Sequence, residues 1–339
     1  MATADVHQHC VPGGFVDRVR AEGARHGFGL SESPGGFQQV DLPNGGAQPV
    51  DRRLEEGLRL TDQGVRLGEL SGVGIDISIQ SIMPRMMSYD AGESQALWLS
   101  RAVNDALAEE MQKDPEHVVA MGTVPLQFPK LAARELERIV SDHGIPCVQI
   151  ATHVGDQNLD DPDLFDFWAA AQELDVLVFV HPNYPTAKER LTRYHLINLI
   201  GNPLEDSIAV ASIIFGGVLD RFPSLKLCFA HAGGYVPWIR GRWRHGQAVR
   251  AEAREGGAHG AFDDYFAMLY FDTIIHDDRA LGYLIDTVDA DRIVHGTDYP
   301  ADMSDWHQVS AIRKVDGLSE DDQDKILGGN ALRLIGRAP

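Results

Sequence analysis

The chain of 339 residues is about twice a common ~150-residue domain, yet it lies within the ~200 to 400 residues that an α/β barrel occupies as one unit. Hydrophobic residues at 44% and charged residues at 24% are ordinary globular proportions, which excludes a disordered or collagen-like chain. Lys and Arg total 30 against 50 Asp and Glu, a formal charge of −20 whose field repels nucleic acid and anionic membranes; an anionic substrate would need local arginines or a metal.

Short apolar runs rich in β-branched residues recur along the chain with amphipathic stretches between them, the pattern of βα units. The first run, Ala4 to His9, carries Asp5-Val6-His7-Gln8-His9. The segment after it, Cys10 to Gln63, far exceeds a βα loop of ~2–6 residues and holds the Gly/Pro-rich stretch Pro34 to Pro49, so it is expected to be an insertion over a barrel mouth. Further runs follow at Ile75 to Gln80, Val118 to Leu126, Cys147 to Thr152, Val176 to Val180, Leu225 to Ala230, Tyr270 to Ile275 and Arg292 to His295. Between them, Leu99, Val103, Leu107 and Met111 repeat at helical spacing, and Asp161-Pro162 opens a helix carrying Leu164, Phe165, Trp168 and Ala171. Near the end, Gly328-Gly329 predicts a helix stop, with Asn330 capping a last helix over Ala331 to Ile335. Eight strands alternating with helices predict a TIM (β/α)8 barrel, residues 1–339 as a single domain with residues 10–63 inserted after the first strand; an open doubly wound sheet is the alternative.

Three cysteines, Cys10, Cys147 and Cys228, cannot all pair within one chain and form no C-x-x-C motif, so a reducing cytoplasm is expected. Residues 1–9 lack a basic segment followed by an apolar one, and no apolar run reaches the ~18 residues of a membrane span, so neither a leader nor a membrane partner is expected.

Fourteen histidines are the compositional feature with chemical content, since imidazole is both a common metal ligand and a general acid/base. His7 and His9 end the first strand, while His181, His231 and Asp298 follow later strand-like runs. In a barrel all those strand ends ring one mouth, and two histidines spaced i, i+2 share a face. Three imidazoles and a carboxylate with an open position suit one divalent ion, Zn²⁺ first, with Mn²⁺ as the other choice. Taken singly, each signal has a plain structural reading: a lone His-x-His is often a surface pair, and a histidine after an apolar run is often a capped core residue. Their conjunction at four strand ends favours a metal.

Other motifs fail on context. Gly92-Glu93-Ser94-Gln95-Ala96 approaches a nucleophile elbow, but Tyr89-Asp90 before it is no strand. No phosphate loop, dinucleotide fingerprint or H-E-x-x-H is present. Asp160-Asp161 and Ser319-Glu320-Asp321-Asp322 read as helix starts rather than Ca²⁺ loops, with Ser319 as an N-cap.

Asp5-Val6-His7-Gln8-His9, Val124-Pro125-Leu126-Gln127, Gln149-Ile150 through Gly155-Asp156, His181-Pro182, His231-Ala232-Gly233-Gly234, Gly296-Thr297-Asp298-Tyr299-Pro300 and Gly329-Asn330-Ala331 together resemble the amidohydrolase-related family of the aminocarboxymuconate semialdehyde decarboxylase type. The resemblance runs from residue 5 to about residue 335. It implies a TIM barrel with one divalent metal, usually zinc, on His7, His9, His181 and Asp298, and it gives His231 the role of general acid/base beside the metal. It also matches Arg242 to an arginine that grips substrate carboxylate across a homodimer interface. The family's other substrate arginine has Arg52 or Arg53 as counterpart, and after His181-Pro182 the chain has Asn183-Tyr184 where that decarboxylase has tryptophan, which puts Tyr184 on the substrate side. Superfamily members with two metals bridge them through a lysine ending the fourth strand; Cys147 to His153 has none, so one metal is expected. Hydroxybenzoate decarboxylases of the group tend to show Glu-x-His at the first strand, and His-x-His leans away from that branch. His153 would either support a ligand from behind or cap a loop.

The function expected is a metal-dependent, non-oxidative decarboxylase of a small unsaturated or aromatic carboxylic acid, with His231 and Asp298 in the chemistry. A hydrolase or hydratase of a small carbonyl, lactone or amide substrate is the alternative on the same scaffold, and fold alone does not separate them.

Overall fold

The computed structural model describes residues 1–186 and 188–338. Eight strands follow one another in chain order around one sheet: β1 Ala4–Cys10, β2 Ile77–Ile82, β3 Val118–Thr123, β4 Cys147–Ala151, β5 Leu177–His181, β6 Lys226–Phe229, β7 Tyr270–Asp272 and β8 Ile293–Val294. Each neighbouring pair is parallel. The ring returns to β1 through Val6 N–H donating to the His295 carbonyl at 3.0 Å. Past the end of β8, Asp298 N–H donates to the His7 carbonyl at 2.8 Å and His9 N–H to the Tyr299 carbonyl at 2.7 Å. Closure of a TIM barrel is thus what sets Asp298 against the β1 histidines.

The strands are buried on both faces, which is why they read as nearly continuous apolar runs. Ile77, Ile79, Val119, Met121, Leu177 and Phe179 pack with one another as one cluster. The intervening Ala120, Val148, Ile150, Val178 and Val180 belong to a larger cluster that includes the helices. Helix Glu93–Lys113 buries Leu99, Val103 and Leu107, and its buried Asn104 accepts from Thr123 N–H and donates to the Thr123 carbonyl, tying the helix to the end of β3. Asp161 accepts from Asp163 N–H ahead of helix Phe165–Glu173, and Ser319 accepts from Asp322 N–H, both as capping residues.

One expected boundary is wrong. The helical backbone runs on from Lys325–Gly329 into Asn330–Leu334, and Asn330 itself is helical at φ −67°, ψ −47°. The Asn330 amide donates instead to the carbonyls of Ala290 and Ile293, both at 2.7 Å. Gly328 is needed for close approach rather than termination: a Cβ there would stand 1.9 Å from the Ala2 carbonyl oxygen.

The segment between β1 and β2 is structured throughout. It holds helix Gly13–Glu22, a three-stranded antiparallel sheet of Gly29–Glu32, Gln38–Asp41 and Ala47–Pro49, and helices Glu55–Thr61 and Gln63–Gly72. The Gly/Pro-rich stretch therefore contains two strands, joined by a turn from which Asn44 Nδ2 donates to the Tyr184 hydroxyl, beyond the end of β5, at 3.2 Å. Among the described residues no helix is long and apolar enough to cross a membrane.

Candidate metal centre

His7 and His9 project from the end of β1 with ring centroids 5.2 Å apart, and His181 at the end of β5 lies 5.0 Å from the first and 4.7 Å from the second. Asp298 completes the group, with Oδ1 3.3 Å from Nε2 of both His7 and His9. One ligand atom from each of the four residues lies within 4.8 Å of the others, and all four side chains are buried. A Cβ on Gly296 would fall 2.8 Å from the His7 Cβ, so the loop carrying Asp298 can pass this close only as glycine. That loop is tied to β1 by Asp5, whose carboxylate accepts from the Thr297 N–H and hydroxyl.

Each histidine has its far nitrogen engaged. His7 Nδ1 bonds Asp272 Oδ2 at 2.5 Å, His9 Nδ1 bonds Ser81 Oγ at 3.1 Å, and His181 Nδ1 bonds the Pro182 carbonyl at 2.8 Å. A ring donating its Nδ1–H keeps the Nε2 lone pair free, so all three Nε2 atoms are available as ligands. Supporting groups are themselves fixed: Asp272 accepts from the N–H groups of Ala232 and Ile274, and Gln149 accepts from the Ser81 hydroxyl at 2.6 Å while donating to the Ile82 carbonyl.

The fit to a cation follows from what the chain leaves unpaired. Nε2 of His7 and of His9 are buried without a hydrogen-bond partner, and the Asp298 oxygen stands near them without the alignment of a bond. A divalent ion satisfies both nitrogens and neutralises the carboxylate. The electrostatics of the ion-free centre agree. Burial alone would lower His7, but Asp298 and Asp272 on either side outweigh it and raise the imidazole to about 10, as expected where carboxylates favour positive charge. His9 and His181 are pushed down, by burial first and, for His181, by the neighbouring imidazoles next. Burial would raise Asp298, yet His7 and His9 hold it well below the usual carboxylate range.

His231 follows β6 with its ring centroid 5.2 Å from those of both His7 and His181. Nδ1 bonds Asp206 Oδ2 at 2.9 Å, from helix Asn202–Phe215, which fixes the ring beside the candidate ligands. Burial would lower His231, but the Asp206 charge and hydrogen bond raise it, favouring the imidazolium; burial in turn lifts Asp206 to about 6 against the pull of His231. His231 thus stands beside the cluster as an imidazole held and kept basic by a buried carboxylate.

The remaining sequence candidates are spread more widely. Tyr184 is 46% exposed. His153 bonds the carbonyls of Gly155 and Tyr184, so it fastens a loop. Arg52 pairs with Asp62, and Arg53 with Asp51 and the Gly36 carbonyl, all within the inserted segment. Arg242 is exposed on helix Val236–Val249; Arg240 and Arg244 pair with Asp263, whereas Arg242 has no carboxylate partner among the described residues. Trp238 on that helix is 49% exposed and stacks on Tyr283. Sequence reasoning missed Asp272, Asp206 and Ser81. Only Asp272 left a signal, as a carboxylate inside the apolar run Tyr270 to Ile275.

Against known proteins, a family model described as Amidohydrolase matches residues 4–337. The 2-amino-3-carboxymuconate-6-semialdehyde decarboxylase of Dictyostelium discoideum is 34% identical over 278 residues, covering 82% of this chain and 77% of that one. A decarboxylase of the same name from Caenorhabditis elegans is 29% identical, over 98% of this chain and 93% of its own. Among solved structures, a dihydroxybenzoic acid decarboxylase from Polaromonas sp. JS666 with bound manganese and the inhibitor 2-nitroresorcinol is 27% identical, with a TM-score of 0.76 over 84% of this chain and 90% of that one.

Proposed function

Because the chain belongs to the amidohydrolase family, we propose that it is a metal-dependent decarboxylase that removes CO₂ non-oxidatively from a small unsaturated or aromatic carboxylic acid. The observation that carries this reading is one buried four-residue ligand cluster with a carboxylate-oriented histidine, His231, at its edge. His7, His9, His181 and Asp298 would hold a single divalent ion. When bound, the ion supplies Lewis-acid polarisation and orients an anionic substrate. Zn²⁺ is our first assignment, from three imidazole ligands, and Mn²⁺, the ion bound in the Polaromonas relative, is the other.

His231 enters the reaction as the imidazolium that Asp206 favours and delivers its Nε2 proton to the carbon bearing the carboxylate. The C–C bond to the carboxylate then breaks, its electron pair returning to the unsaturated system as CO₂ leaves. Asp206 holds the resulting neutral ring in the same tautomer, ready to take up a proton from solvent. Asp298 takes part through the charge it places against His7 and His9.

Several finer assignments belong to the same proposal. The protein is one domain of residues 1–339 in which residues 10–63 overlie the barrel mouth, as the Asn44–Tyr184 contact supports. It works as a homodimer in which Arg242 serves the neighbouring site, and Tyr184 contacts substrate. Arg52 or Arg53 does so only if its pair with Asp62 or Asp51 opens. A cytoplasmic location is favoured by three buried free thiols.

The deciding experiment incubates the metal-loaded enzyme with muconate-like, hydroxybenzoate and lactone acids while CO₂ and product mass are recorded. CO₂ release from at least one acid is expected. Addition of water without CO₂ across the panel would replace this reading by the hydratase or hydrolase one. His231→Ala should keep its metal while kcat falls by ~10² to 10⁴, the usual contribution of a positioned proton donor.

A further inference from the structure

Next to the ligand cluster lies a cavity of about 240 Å³, bordered by His231 and Asp298 and walled by Trp238, Ile274 and Met303. Sites of this kind bind mostly through apolar contact, and a few placed polar groups decide which substituents are accepted. Among the described residues no lysine or arginine lines this one. His276 does, from the loop that follows β7. Apart from His231, it is the only lining side chain among the described residues able to take a positive charge.

Three further observations set His276 apart. Its side chain is 41% exposed against 14% for His231 and 9% for Asp298, so it stands at the outer end of the cavity while they stand at the inner end. Its ring has no hydrogen-bond partner among the described residues; the carboxylate of Asp305 stays 3.8 Å from Nδ1. Its backbone is left-handed at φ 57°, and so are those of His231 at 50° and Asp298 at 60°. Left-handed backbone is unfavourable for residues other than glycine and must be held by its surroundings, and such residues gather at functional sites. Here three of them face one cavity, two already placed in the chemistry.

We propose that His276 is a specificity-determining residue whose imidazole binds a second carboxylate of the substrate at the outer end of the cavity, while the carboxylate to be lost lies at the inner end. This rests on the decarboxylase reading above and adds to it the residue of this chain that selects for a second acidic substituent. A charged hydrogen bond of this kind discriminates by about tenfold or more.

The test uses the manganese-loaded protein and two inert probes, benzoate and isophthalate, titrated calorimetrically. Isophthalate should bind about tenfold or more tightly than benzoate. In His276→Ala that preference should vanish while benzoate affinity stays within about twofold, and His276→Gln, which keeps an N–H donor, should retain part of it. Equal binding of both acids by the unaltered protein, or a preference surviving in His276→Ala, overturns the assignment and leaves the decarboxylase reading standing. Failure of the metal-loaded protein to bind either acid also overturns the assignment, while CO₂ release across the acid panel decides the decarboxylase reading separately. His276→Gln also guards against misfolding of the alanine variant, since loss of the whole preference in a folded Gln variant with normal benzoate affinity still assigns the effect to the ring.

Discussion

At the scale of single residues the ligand set is held by groups that compete for the same atoms, and His7 shows what that does to pH dependence. Without an ion its imidazole is raised to about 10 by Asp298 and Asp272, overcoming the burial that would lower it. A histidine raised on folding stabilises the folded state fully below its unfolded value of ~6.5, and that contribution is lost as pH rises through the folded value. Metal binding must displace the same proton, so it runs in the opposite sense. Stripped of metal, the protein should lose thermal stability between about pH 6.5 and 10, while its apparent affinity for Zn²⁺ or Mn²⁺ should gain up to about tenfold per pH unit over that window. Melting curves with and without metal, over a pH series, measure both slopes. A flat metal affinity over that range would mean that His7 is already neutral in the ion-free site. Asp298→Ala should abolish near-stoichiometric metal retention at every pH.

The same scale shows where the sequence was readable. His7, His9, His181 and Asp298 could be brought together because strand ends of a barrel share one mouth, so linear position carried spatial meaning. Asp206 and Ser81 were not legible. Asp206 lies in the first half of helix Asn202–Phe215, where a carboxylate in sequence looks the same whether it meets water or an imidazole, and Ser81 is a small polar residue within an ordinary strand. His276 directly follows the apolar run Tyr270 to Ile275, so it carried the same positional signal as His231, and it was passed over because no recognised motif accompanied it.

At the scale of elements the strands were legible and the boundary before the last helix was not, for one physical reason. A continuous apolar run reports burial directly, but glycine reports only that a side chain is intolerable. At Gly328 the obstacle is the Ala2 carbonyl, not a left-handed helix terminus, so the signal for stopping and the signal for close packing coincide. The helix instead serves as a clamp: Asn330 donates to Ala290 and Ile293, fastening the approach to β8, and hence the loop with Asp298, to the C-terminal helix. Asn330→Ala leaves two buried carbonyls without their donor. It should destabilise the fold by about 2 to 4 kcal/mol, measured by denaturant unfolding, and weaken metal retention only in proportion to the unfolded fraction. A full loss of metal in a variant of normal stability would show that the clamp sets ligand geometry directly. The Gly/Pro-rich stretch Pro34 to Pro49 hid its two strands in the same way, since its turn residues outnumber the few strand residues they connect.

At the scale of the whole molecule, a net charge of −20 and a carboxylate substrate pull against each other. Within the chain the cavity has no arginine or lysine among its described lining residues, and His276 offers one imidazole. Arg242 is the exposed cation whose neighbours Arg240 and Arg244 are paired while it has no carboxylate partner among the described residues, on the helix that brings Trp238 to the cavity wall. Trp238 and Tyr283 stack with 49% and 41% of their surfaces exposed, an aromatic pair of the kind enriched at interfaces. The proposed homodimer, burying this ridge and lending Arg242 to the neighbouring cavity, would supply the missing charge, since guanidinium grips carboxylate bidentately. Arg242→Ala and His231→Ala should each be inactive alone. Mixed and allowed to exchange subunits, they should recover about a quarter of the native activity, because about half of the dimers are mixed and each has one site with both groups intact. If exchange is demonstrated by mass and no activity returns, Arg242 acts within its own chain or only packs, and the charge balance of the site must rest on the metal and His276 alone.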